Sequence, residues 1–167
     1  MTTYRFGGEQ LTGLAALLGV RAGLVALANR FCREAWGCAT FDEEEALTDR
    51  FLSEFMARIA ACFAREEELM AEYYYAAGEE HRAEHDAFTA QLYTLRRRHK
   101  LGEPAMSIEI FQAVRDWFLT HWEDADGRLF PFLERVAMFS TIDEGRLPAE
   151  NENGRDLYGR AEASAVN

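Results

Sequence analysis

The sequence predicts an all-α fold, an up-down-up-down four-helix bundle. Two observations lead there: four long stretches in which apolar residues recur in alternating steps of three and four, and short breaks between them. Composition agrees. Ala, Leu, Glu and Arg, all good helix formers, are abundant, and only 3 prolines interrupt the chain. No region shows the short, evenly spaced strands of a sandwich. At 167 residues one domain is expected, and a chain of this size builds a core without staples. Hydrophobic residues at 49% and aromatics at 13% are too many for a disordered chain.

The first helix is expected over about 9 to 36, with Gly37 as its stop. Its inward seam reads Leu14, Leu17, Arg21, Leu24, Ala28, Phe31 and Ala35, apolar except for Arg21. The second starts after Thr40 or Asp42, where Asp42-Glu43-Glu44-Glu45 suits the positive end of a helix, and runs to about Tyr75. Its seam is Phe55, Ile59, Cys62, Glu66, Met70, Tyr73. The third begins near Ala77 or Gly78 and reaches about Lys100 through His81, His85, Phe88, Leu92 and Leu95. Gly102 and Pro104 punctuate the break. Ser107 reads as the N-cap of the fourth helix, whose seam is Phe111, Val114, Phe118, His121, Ala125, Leu129 and which Pro131 ends or kinks. The bundle is therefore expected over 1–138 and a loose polar tail over 139–167.

Charge narrows the function classes. A net charge of -11 repels nucleic acid, whose recognition starts from clustered Lys and Arg. The basic run Arg96-Arg97-Arg98-His99-Lys100 reads as the solvated end of a helix, where cations complement the dipole, with His99 as a surface residue. The opening residues do not read as a signal peptide, and no apolar run is long enough for a membrane span. Three cysteines, Cys32, Cys38 and Cys62, without a pairing pattern suit a reducing cytoplasm.

Three of the four histidines fall on inward seams, together with acids that are costly in an apolar core. His81 and His85 are four apart and leave one helix face about a turn from each other. His121 lies on the fourth helix, with Asp126 five residues on. Glu66 follows Cys62 by four. A lone inward histidine is usually a hydrogen-bonded core residue, but five polar residues converging from three helices explain one another best as metal ligands. Imidazole with carboxylate suits iron, manganese or zinc, and the lack of a thiolate cluster argues against iron–sulfur.

These residues also carry a family resemblance. Cys62-Phe63-Ala64-Arg65-Glu66-Glu67-Glu68-Leu69-Met70 and His81-Arg82-Ala83-Glu84-His85-Asp86-Ala87-Phe88 resemble the HFxxEExxM and HxxEHxxF signatures of bacterial hemerythrins. Trp117-Phe118-Leu119-Thr120-His121, with Asp126 beyond, resembles their WLxxHxxxxD. The resemblance covers about residues 10 to 133. It implies a hemerythrin-like four-helix bundle with an O2-binding di-iron site. Three histidines, here His81, His85 and His121, would hold one iron, and Glu66 and Asp126 would bridge to a second.

The second-iron side departs from the pattern. Cys62 stands where the family has the histidine of HF, and Arg21 falls near the first-helix histidine. Arginine cannot lose its proton to bind a metal. Cys62 either ligates as a thiolate or sits as a small buried hydrophobe. Arg21 either neutralises Glu66 and Asp126, standing in for the charge of a second iron, or lines the seam with its stem while its head reaches solvent. The iron content is thus one or two ions per chain.

Three readings of function follow. The first is a non-haem iron protein that binds O2 or another small diatomic for sensing, storage or delivery. The second is an oxidoreductase using a mononuclear or unsymmetrical iron site, so whether the chain is an enzyme stays open. The third is a metal-free interaction domain. Tyr73-Tyr74-Tyr75 could line a substrate cavity but reads better as bundle-end packing. Neither a phosphate-binding loop, a Ser–His–Asp order nor a paired CxxC occurs.

Overall fold

In the computed structural model, which describes the backbone of residues 8–144 and the side chains of residues 16–136, the four helices form as expected. They are α1 (Gly8–Ala35), α2 (Phe41–Glu72), α3 (Gly78–Lys100) and α4 (Met106–Glu144). The connections, residues 36–40, 73–77 and 101–105, are too short for crossovers, so consecutive helices pack side by side. α1 packs on α2 and α4, α3 packs on the same two, and α2 meets α4 across the bundle.

The helix ends have local causes. Thr40 caps α2 in an extended conformation (φ -134, ψ 157), its hydroxyl accepting from the Glu43 amide at 3.2 Å. The Glu43 carboxylate in turn accepts the Ala39 amide at 2.8 Å. At the other end of α2, the Tyr75 amide donates to the Met70 carbonyl and the Tyr74 amide to Ala71, the pattern of a Schellman stop. The residue that must turn left-handed is Tyr74, at φ 53. α3 ends the same way, with Gly102 (φ 73) taking that conformation without side-chain strain.

Three local expectations are corrected. Ser107 is not a cap: α4 starts at Met106, and Ser107 is buried in its first turn, its hydroxyl bonded to the Glu44 carboxylate on α2. Of the end or kink expected at Pro131, the end is overturned, because α4 continues to Glu144. The proline lacks only one amide, and packing of the flanking Leu129 and Leu133 into the core holds the helix on either side. His99 is not a surface residue: it is 6% exposed, with Nε2 3.5 Å from Asp49 Oδ1. The helical backbone continues past 139, where the polar tail was expected, and the rest of that tail, residues 145–167, lies outside the described residues.

The described seams face inward. Leu17, Leu24, Ala28 and Phe31 of α1 meet Phe55 and Ile59 of α2, Phe88, Leu92 and Leu95 of α3, and Val114, Phe118 and Leu129 of α4 in one core. Towards the α1–α2 end this core is apolar and aromatic. Phe31 stacks on Phe51 with centroids 4.1 Å apart, and Phe55 meets both Phe88 and Phe118 edge-on. Of the tyrosine run, Tyr75 packs on Phe132 (4.9 Å) at the opposite end, Tyr73 is half-buried, and Tyr74 is exposed. That opposite half holds the polar residues of the seams.

Candidate metal centre

The site is built by phase. In α3, the step of four from His81 to His85 puts two imidazoles on one face, and the apolar partners Phe88, Leu92 and Leu95 pin that face inward. α2 brings in Glu66 from the same seam as Ile59 and Cys62, and α4 brings in His121 and Asp126 between Phe118 and Leu129. All five are buried, none more than 3% exposed.

Their functional atoms converge. One ligand atom from each of Glu66, His81, His85 and His121 lies within 4.8 Å of the other three. His85 Nε2 is 3.1 Å from Glu66 Oε2, and His81 Nε2 is 3.8 Å from the same oxygen. Asp126 Oδ1 faces His81 Nε2 at 3.3 Å and His121 Nε2 at 3.4 Å. These are close approaches, not aligned hydrogen bonds: the three Nε2 atoms and Asp126 Oδ1 are buried without a hydrogen-bond partner. Buried polar atoms are rarely left so. Three imidazole nitrogens turned to one point with a carboxylate beside them are an unsatisfied group that one cation would satisfy. The donor set therefore fits a single borderline metal ion.

Outer contacts hold the rings. His121 Nδ1 lies 2.7 Å from Glu84 Oε2, and His85 Nδ1 lies 3.1 Å from Glu67 Oε1. A carboxylate on Nδ1 keeps the proton there and leaves Nε2 free to ligate. Phe63 stacks on the His85 ring at 3.7 Å and 8°, and Trp117 on the His121 ring at 4.4 Å and 15°. Glu67 and Glu84 are not among the ligands expected from the sequence. The signal was there, because each acid sits one residue from a candidate ligand, Glu66 or His85.

The two departures from the resemblance take definite places. Arg21 is buried, with Nη2 2.6 Å from Asp126 Oδ2, and its guanidinium carbon sits 4.4 Å from the ring centres of both Trp122 and Phe130. It does not reach solvent as a snorkelling arginine would. Cys62 directs Sγ to Glu66 Oε1 at 3.5 Å. Burial, with Glu66 beside it, pushes the Cys62 thiol far above its ordinary range, so it stays protonated and a poor ligand.

Without a metal, the carboxylates and imidazoles answer one another electrostatically. Burial alone would raise the Asp126 pKa, but His121, His81 and Arg21 together hold it well below the usual carboxylate range. Glu66 is lowered too, burial being outweighed by His81 and His85. For His81, burial works against the charge, yet Asp126 and Glu66 push its pKa up to about 9.

A family model, the hemerythrin HHE cation-binding domain, matches residues 21–133. The chain belongs to the hemerythrin family. Among curated proteins and solved structures, none matches the chain. The match to this hemerythrin domain begins at Arg21, and it takes in every residue of the buried His/Glu cluster. Family and geometry thus agree on a site compatible with metal binding. Among the described residues, no helix of this hemerythrin is long and apolar enough to cross a membrane.

Proposed function

We propose that this hemerythrin-family chain holds non-haem iron on His81, His85, His121 and Glu66, with Asp126 alongside, and uses it to bind O2 or a related small diatomic for sensing, storage or delivery. The observation that carries the reading is the convergence of three unpartnered Nε2 atoms and a carboxylate within 4.8 Å in the buried core. Ferrous iron in a site of imidazoles and carboxylate supplies open coordination positions and an electron-rich centre for such a ligand. The protein's own residues do the rest. Glu84 and Glu67 fix the tautomers of His121 and His85. Phe63 and Trp117 wall the imidazoles, fix their planes and keep water from competing.

The reading places the chain in a reducing cytoplasm, which its free cysteines Cys32, Cys38 and Cys62 support. The net charge of -11 argues against nucleic acid or an anionic membrane surface as the partner.

The test is elemental analysis of the purified chain, with absorption and electron paramagnetic resonance spectra recorded anaerobically, then with nitric oxide, then in air. Iron bound to the chain and spectra that change on adding the diatomic are expected. A folded chain that takes up no iron on anaerobic reconstitution refutes the metal site. Bound iron whose spectra ignore both gases refutes the ligand class.

A further inference from the structure

We infer that Arg21 limits this site to one metal ion, its guanidinium standing as a built-in cation on the side of Asp126 that a second ion would need. The inference rests on the metal site proposed above and sets its stoichiometry.

The geometry divides Asp126 in two. Oδ1 faces the Nε2 atoms of His81 and His121, and so belongs with the ion-sized cluster. Oδ2 is taken by Arg21 Nη2 at 2.6 Å. An ion bridged to the first through Asp126 would have to displace that guanidinium. The guanidinium cannot withdraw by deprotonation. Nor is it loosely held: it lies over the faces of both Trp122 and Phe130, a double cation–π clamp inside the bundle. A divalent ion in the same space would meet a fixed positive charge at short range and low dielectric, where repulsion is strongest.

The opposite side offers no replacement. Cys62, one helical turn before Glu66, directs its sulfur to Glu66 Oε1 at 3.5 Å, so the outer oxygen of that carboxylate is also engaged by the protein. Both carboxylates therefore present one oxygen to the histidines and one to a side chain of this chain. In charge, Glu66 and Asp126 bring two negatives, and Arg21 cancels one of them in advance. One divalent ion already carries the sum to +1, and a second would carry it to +3 in a buried site. The single-ion limit comes from the protein's own charge and follows from a residue on α1, the helix that supplies no atom to the His/Glu cluster.

The test is an anaerobic titration of the metal-free full chain with cobalt(II), followed by d–d absorption and by elemental analysis after gel filtration. Unchanged protein is expected to saturate at one ion per chain, and the double variant Arg21→His with Cys62→His at two. Two ions in the unchanged protein, or one in a double variant that keeps its helical circular dichroism, overturns the inference while leaving the metal site standing. No ion in the unchanged protein overturns the site and the inference with it. Should the double variant fail to fold, Arg21→Gln decides. Removing the cation without adding a ligand is expected to tighten cobalt(II) binding by about ten-fold or more, from the lost charge repulsion. Unchanged or weaker binding overturns the inference.

Discussion

Glu84 touches no atom of the His/Glu cluster except through His121, which makes it a sharp test of how the site is held. Its Oε2 lies 2.7 Å from Nδ1 of a histidine whose side chain is 1% exposed, while Glu84 itself is 41% exposed. Carboxylates in this position commonly change metal affinity by about 10–100-fold. Because the carboxylate is partly in water, its hold is screened, and the low end applies. Glu84→Ala is therefore expected to weaken cobalt(II) binding by about ten-fold, or about 1.4 kcal/mol. Glu84→Gln, which keeps an acceptor oxygen without the charge, is expected to lose less. Competition against a chromophoric chelator measures both. The reasoning fails if Glu84→Ala binds within a factor of two of the unchanged protein while its helical content is intact, because His121 would then be positioned by Trp117 stacking alone.

Three other outcomes follow from the structure. Phe55 is fully buried between Phe51, Phe88 and Phe118, so Phe55→Ala should lower the unfolding free energy by about 3–5 kcal/mol in a urea titration, without changing metal stoichiometry. Tyr74 holds φ 53 with its side chain 91% exposed, so Tyr74→Gly loses no packing and should stabilise the chain by about 0.5–1 kcal/mol in the same assay. In the metal-free protein His81 keeps its proton up to about pH 9, against about 6.5 when unfolded. Its stabilising contribution is full below 6.5 and is lost as pH rises through 9. A metal must displace that proton, so cobalt(II) uptake at pH 7 should release protons to a pH dye, and apparent affinity should rise between pH 6.5 and 8.5.

Much of the site was legible because its residues break an apolar pattern. His81, His85 and His121 occupy the phase that Phe88, Leu92 and Phe118 share, and a helix that buries those aromatics has no choice but to bury the imidazoles. Glu66, Arg21 and Asp126 were visible in the same way, as charges in or beside inward seams. His99 was legible too, but the run of basic neighbours hid it. Continuing the α3 seam from Leu92 and Leu95 by one further step of four lands on His99, and the helix obeys that period over the charge of its neighbours. Ser107 was misread because a serine near a helix start is a common cap. Here its hydroxyl has a carboxylate partner on α2, and the start falls one residue earlier.

The sequence by itself determined the four helices, the faces they bury and the set of polar residues carried inside, since helical period and burial cost act along one strand of chain. It could not say which inward charges face one another, because pairing depends on how four helices are rotated and stacked. Only the tertiary structure decided that Arg21 takes Asp126 rather than Glu66, that Trp122 and Phe130 clamp it, and that Cys62 turns to Glu66. The difference between a two-ion and a one-ion site lies in those contacts of a few ångströms between separate helices, where Coulomb energy varies most steeply with distance.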